Sequence, residues 1–179
     1  VYMWGSNENG QLGYLSGTFQ YVTVPAKINM TGFEHVHFTQ MSFGGKHVLA
    51  LTNDSIVVSW GSNNEAQLGL RFQGGSSFWP VRANFTASAG DRVIQVAAGN
   101  AHSLVLTEAG SIYGWGLAQY YQLGYVPAFL YQLDPYPFSL LNYIWGKVTN
   151  IYVVADTSFV TSDRGRTYSW GVGAGYILG

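Results

Sequence analysis

The sequence predicts an all-β fold: a β-propeller of four-stranded antiparallel blades, seen as a partial ring within a longer chain. Three observations predict it. Trp-Gly pairs recur at Trp4-Gly5, Trp60-Gly61, Trp115-Gly116 and Trp170-Gly171, with spacings of 56, 55 and 55 residues. Each Trp is followed eight residues later by Leu-Gly: Leu12-Gly13, Leu68-Gly69, Leu123-Gly124 and Leu178-Gly179. Between these marks run short β-branched and aromatic stretches broken by Asn, Asp and Gly, which is strand-and-turn chemistry with no convincing helix. A fixed long period is the signature of a repeat architecture.

The elements of one period follow in order. An inner strand is expected over His35–Met41, Arg92–Ala98 and Lys147–Val154. A hairpin comes next in each copy. Val48–Thr52 turns at Asn53-Asp54-Ser55 into Ile56–Trp60, and Ser103–Thr107 turns at Glu108-Ala109-Gly110 into Ser111–Trp115. Ser158–Thr161 turns at Ser162–Gly165 into Thr167–Trp170. Two such runs around an Asn/Asp/Gly turn form a hairpin. A short outer strand is expected to begin at Pro25, Pro80 and Pro137, because proline is tolerated on a sheet edge. About four strands per period cannot bury both faces alone, so copies stack radially, and closed rings typically have about 4–8 blades. The chain therefore reads as a single propeller segment over residues 1–179. Both ends are expected to fall inside repeats, and the start Val1-Tyr2-Met3-Trp4 is not read as an intact precursor start.

The repeated residues have architectural roles. Trp4, Trp60, Trp115 and Trp170 fill the wedge between blades. Gly5, Gly61, Gly116 and Gly171 let the chain leave the strand where a Cβ would obstruct it. The Leu of each Leu-Gly pair folds back into the inter-blade core. Gln11, Gln67 and Gln122, just before three of those Leu residues, can satisfy loop backbone groups. His47 and His102 each lie thirteen residues before their Trp, and Gly44 and Gly99 sixteen before; Thr157 and Val154 occupy those places in the fourth copy.

These residues resemble the regulator of chromosome condensation repeat family. The match reads Gly99-Asn100-Ala101-His102-Ser103, then Tyr113-Gly114-Trp115-Gly116, then Gln122-Leu123-Gly124, with Asn9-Gly10-Gln11-Leu12-Gly13 near the start. The resemblance implies a seven-bladed propeller, of which this chain would be about half. Ala66 and Tyr121 depart from the pattern by replacing the Gly before Gln, and the fourth unit has lost its His, its Gln and the Gly ahead of its His. The family's known roles are guanine-nucleotide exchange on a small GTPase, chromatin binding, propellers linked to ubiquitin ligases or cilia, and interaction scaffolds.

Composition narrows these. Charged residues are 9% and aromatics 16%, with 8 Lys+Arg against 9 Asp+Glu. No basic run points to nucleic acid, and no apolar run reaches the roughly 18–20 residues that span a bilayer. Zero Cys removes disulfides, thiolate metal sites and a Cys nucleophile. No catalytic signature, cofactor site or metal site is expected. Gly44-Gly45-Lys46-His47 lacks the context of a phosphate loop and belongs to the repeat instead. His35 and His37 would share one face of a strand, and read as polar residues on its wetter side.

The sequence thus reads as a non-enzymatic scaffold or protein-interaction module. Its partner would be another protein, or other copies or blades of the same chain. Tyr120, Tyr121, Tyr125, Phe129 and Tyr131, with Tyr136 and Tyr143, are candidate interface residues, since exposed aromatics with few charges mark interfaces. Asn29-Met30-Thr31, Asn53-Asp54-Ser55 and Asn84-Phe85-Thr86 are N-glycosylation patterns. They favour an extracellular or cell-surface setting over a cytoplasmic or ciliary one. Nucleotide exchange on a small GTPase, and an intracellular ciliary or ubiquitin-ligase-linked propeller, are the alternative readings.

Overall fold

The computed structural model describes residues 1–14, 20–125, 129–138 and 143–172. Among the described residues there are thirteen antiparallel strands: β1 (Tyr2–Ser6), β2 (Tyr21–Lys27), β3 (Phe38–Phe43), β4 (His47–Thr52), β5 (Val57–Ser62), β6 (Ser76–Arg82), β7 (Val93–Ala98), β8 (His102–Thr107), β9 (Ile112–Leu117), β10 (Tyr131–Pro137), β11 (Val148–Val154), β12 (Thr157–Ser162) and β13 (Thr167–Gly171). They form two complete sheets, β3-β4-β5-β6 and β7-β8-β9-β10, flanked by β1-β2 and β11-β12-β13. This is a partial β-propeller. The inner strand β7 packs on β3 and β4 of the preceding blade, and β11 packs on β7 and β8.

The expected hairpins are present, shifted by a residue or two at their ends. The inner strand of the first full blade starts at Phe38, so His35 and His37 lie ahead of it. Both are exposed in the connection, and they do not share a strand face. Among the described residues no group of three or more His, Cys, Asp or Glu could hold a metal ion.

Each blade's third and fourth strands lose register at the Trp-Gly pair. Ser59 faces Val81 and Gly61 faces Ser77, so Phe78, Trp79 and Pro80 oppose the single Trp60. The same irregularity encloses Thr23–Pro25 in β2 and Leu133–Pro135 in β10. The prolines therefore sit in a bulge late in the outer strand rather than at its start. Pro135, not Pro137, is the equivalent of Pro25 and Pro80. A bulged residue has no ladder bond to donate, which is the place a proline can occupy without loss.

The middle strands carry the core. All six residues of β4, β5 and β8 are buried. One cluster joins Leu49, Leu51 and Val57 of one blade to Val93, Val96, Val105 and Trp115 of the next, so hydrophobic burial itself holds blades together. Phe85 enters the same wedge and stacks on Trp115 with ring centroids 6.3 Å apart.

Candidate functional site

The wedge between blades is built from the repeated residues. The Trp60 and Trp115 indoles are completely buried and Trp170 is partly so, whereas Trp4, expected to fill such a wedge, is 62% exposed. Each indole N–H donates back to a carbonyl of the preceding blade's loop: Trp60 to Gln11 at 3.0 Å, Trp115 to Gln67 at 2.9 Å and Trp170 to Gln122 at 2.9 Å. The glutamine side chains turn inward on their own loops. Gln11, Gln67 and Gln122 accept through Oε1 from the backbone N–H of Asn9, Glu65 and Tyr120. Leu12, Leu68 and Leu123 are buried beneath them. Gly13 and Gly69 lie against the indoles of Trp60 and Trp115 at positive φ. Leu178 and Gly179 lie outside the described residues.

The glycine after each repeat Trp is required by its backbone, and at Gly61, Gly116 and Gly171 by lack of space as well, whereas Gly5 faces open space. Gly5, Gly61, Gly116 and Gly171 have φ of 111°, 103°, 98° and 108°, where L side chains are rare. At Gly61 a Cβ would also run into Lys46 O and the Cα of His47.

The histidines are inter-blade ties. His47 Nε2 lies 2.9 Å from Ser103 Oγ, and His102 Nε2 lies 3.0 Å from Ser158 Oγ. Ser103 donates to Gln67 O and Ser158 to Gln122 O, both at 2.8 Å. Since each serine proton is committed, the histidine is the donor through Nε2–H and its Nδ1 is bare. Nδ1 of His47 and of His102 has no hydrogen-bond partner, and each faces the glycine three residues earlier, Gly44 or Gly99. Gly-x-x-His is thus a packing unit in which the glycine makes room for the ring. Gly44–Lys46 is the turn between β3 and β4, not a phosphate cradle. Burial holds the imidazoles neutral, lowering His47 to about 4 and His102, with His47 beside it, to about 3. In the fourth blade Thr157 replaces the histidine and donates to Val172 O at 2.9 Å.

Two further sets of ties were not read from the sequence. Asn7 and Asn63, three residues after their Trp, accept from the N–H of Leu12 and Leu68 at 3.1 Å. Ala118 holds the equivalent place in the third loop. Along the inner strands, Gln95 bonds both the O and the N of Ile151 (2.7 and 2.9 Å), and Gln40 accepts from Val96 N at 2.9 Å. The signals were an Asn at a fixed offset in two copies and an inner-strand amide recurring after 55 residues.

The two faces of the propeller differ. On one, the β4–β5, β8–β9 and β12–β13 tips meet the connections into the inner strands, and charge collects there. Arg92 makes two bonds to Glu108, at 2.9 and 3.1 Å, which hold that carboxyl below its usual range. On the other face lie the long loops after β1, β5 and β9. The loop from Ala118 into Leu133 contains no charged residue. There Tyr120, Tyr121 and Phe129 are 47%, 55% and 80% exposed.

The other candidate interface residues separate from these. Tyr125 is half-buried, bonds Gln132 through its hydroxyl at 2.8 Å and packs on Tyr136; burial pushes it up to about 12. Tyr131 is half-buried on β10, while Tyr136 is exposed further along that strand and Tyr143 on the charged face. Ala66 and Tyr121, at the position of Gly10, have left-handed backbones with φ of 61° each. Asn53 and Asn84 are exposed and Asn29 is half-buried, all three in connections on the charged face.

Comparison with known proteins agrees with this geometry. The probable E3 ubiquitin-protein ligase HERC6 of Homo sapiens is 40% identical over 116 residues, covering 65% of this chain and 11% of that protein. The guanine nucleotide exchange factor SRM1 of Saccharomyces cerevisiae is 28% identical over 192 residues, covering all of this chain and 39% of its own length. The crystal structure of yeast RCC1 (Prp20) bound to Kap60 superposes with a TM-score of 0.80 at 25% identity, over 100% of this chain and 41% of that one. The chain thus spans well under half the length of these relatives. The family described as Regulator of chromosome condensation (RCC1) repeat matches residues 1–51 and 56–106, and a second description of the same repeat matches 38–67 and 93–122. With its Trp-Gly bulges, Gly-x-x-His ties and Gln-Leu-Gly loops in register with those matches, the chain belongs to the RCC1 repeat family.

Proposed function

We propose that this chain is a non-enzymatic interaction scaffold that engages a protein partner through the charge-free loop of its third blade, within an assembly outside the cytoplasm. One observation carries the reading: Tyr121 places a bulky side chain where the backbone favours glycine, and the residue is 55% exposed. A left-handed non-glycine residue is strained, and such strain concentrates at functional positions. Tyr120 and Phe129 extend the aromatic surface of that loop, which the exposed Arg71–Asp134 ion pair borders, and aromatic residues of this kind mark interface centres. The low charge and absence of thiols suit an exported surface protein. The relatives support a protein partner in general terms, since the yeast RCC1 structure holds Kap60.

The test is to replace Tyr120 and Tyr121 with Ser in the full-length protein and follow its cross-linked assemblies in the cells that make it. Loss of a defined cross-linked species at unchanged melting temperature supports the reading. Loss accompanied by unfolding sinks it.

A second reading is guanine-nucleotide exchange on a small GTPase, favoured by the alignment of SRM1 along the whole of this chain. Stimulated nucleotide release from small GTPases by the full-length protein would establish it, and its absence would remove it.

A further inference from the structure

Three motifs carry an asparagine whose side chain is no part of the inter-blade core: Asn29-Met30-Thr31, Asn53-Asp54-Ser55 and Asn84-Phe85-Thr86, of which only Phe85 packs into it. The fold distributes them unevenly. Asn29 and Asn84 stand at equivalent places, just after β2 and β6, and Asn53 is at the β4–β5 tip. All three lie in connections on the charged face, and none in the loops that present Tyr120, Tyr121 and Phe129.

Their amide nitrogens differ from those of asparagines used in packing. Asn7, Asn63, Asn100 and Asn150 each donate through Nδ2 to a neighbour, respectively Tyr14 O, Phe72 O, Asp156 Oδ2 and Thr161 Oγ1. Asn29 and Asn53 use only Oδ1, accepting from Thr31 (N at 3.0 Å, Oγ1 at 2.6 Å) and from His37 N at 3.1 Å. Asn84 makes no side-chain hydrogen bond among the described residues. It is also presented outward: Phe85 is anchored 4.9 Å from the Tyr113 ring, while Asn84 and Thr86 on either side of it are exposed. Among the described residues, a substituent on Nδ2 displaces no internal bond at any of the three.

We propose that Asn84 and Asn53, with Asn29 beside them, are N-glycan acceptors, and that the glycans crown the charged face and leave the aromatic face open. This rests on the reading of an assembly outside the cytoplasm. In the reaction, Nδ2 attacks the anomeric carbon of a lipid-diphosphate-linked oligosaccharide. The bond from that carbon to the diphosphate oxygen breaks, an N-glycosidic bond forms, the amide gives up one proton, and the lipid diphosphate leaves.

The experiment is peptide mapping of the native full-length protein after enzymatic release of N-glycans in heavy-oxygen water, where each formerly occupied Asn returns as a labelled Asp. Label at Asn84 and Asn53 is expected, and Asn84→Gln or Asn53→Gln should each remove one glycan. A second arm routes the same full chain through the secretory pathway with an added signal sequence. Unlabelled native protein overturns the proposal, and the second arm says why. Label in the routed chain means that the sites are sound and the compartment was wrong. No label in either means that the sites themselves fail, whatever the compartment.

Discussion

His47 Nε2 sits 2.9 Å from Ser103 Oγ, which belongs to the next blade and lies 56 residues later. Ser103 returns the bond to Gln67 O in the blade that carries His47, so one hydroxyl closes a loop across the interface. Ser103→Ala should leave the imidazole N–H without an acceptor in a buried site. The expected loss is about 1–3 kcal/mol, read as a lower urea midpoint at unchanged slope. An unmoved midpoint would mean that the tie contributes no net stability.

The same histidines make the propeller acid-sensitive. Their folded values, about 4 and about 3, lie below the ordinary 6.5, so between those limits the unfolded chain binds more protons than the folded one. Stability is therefore complete above about pH 6.5 and falls as the pH drops from there toward 4. Melting temperature against pH should show that decline. His102→Gln should remove its share of the decline, since an amide cannot gain the proton, and leave the part due to His47.

Ala66 and Tyr121 are both left-handed at φ 61°, a conformation that costs an L residue roughly 1–2 kcal/mol. Ala66→Gly is expected to be neutral or to stabilise by up to about 1 kcal/mol. Tyr121→Gly should behave likewise in unfolding while weakening partner capture. A Tyr121→Gly variant with normal assembly would detach the ring from function.

Gly61→Ala should be among the most damaging single changes. The backbone at φ 103° alone costs about 1–3 kcal/mol, and the new Cβ meets Lys46 O and His47 Cα, backbone atoms where the turn enters the fully buried strand β4. Thermal unfolding that matches the parent would contradict this account.

Much of this architecture was legible because period and packing coincide. Trp60, Trp115, Leu68 and Leu123 recur because the two complete blades present the same wedge, and each is buried there. The ends of elements were less legible, because the Trp-Gly bulge absorbs two extra outer-strand residues and moves the prolines away from the strand start. Pro135 lies twenty residues after Trp115, as Pro80 does after Trp60, and pairing assigns the bulge to it rather than to the more loosely spaced Pro137. The tie from His47 to Ser103 joins two blades, and no pattern within one repeat reveals it. Tyr125 and Tyr120 look alike in sequence; only the packing of β9 and β10 decides that one leans on Tyr136 while the other meets solvent.

The ties from His47 to Ser103, from Trp115 to Gln67 and from Gln95 to Ile151 all link a blade to its immediate neighbour. Cooperativity in such an array is one-dimensional: a perturbation decays along the row instead of reaching the whole molecule at once. The blade in which Thr157 stands for the histidine is then the place where order gives way first. Its amides should exchange with solvent ahead of those in β4 and β8, as a local opening that leaves the neighbouring blades closed.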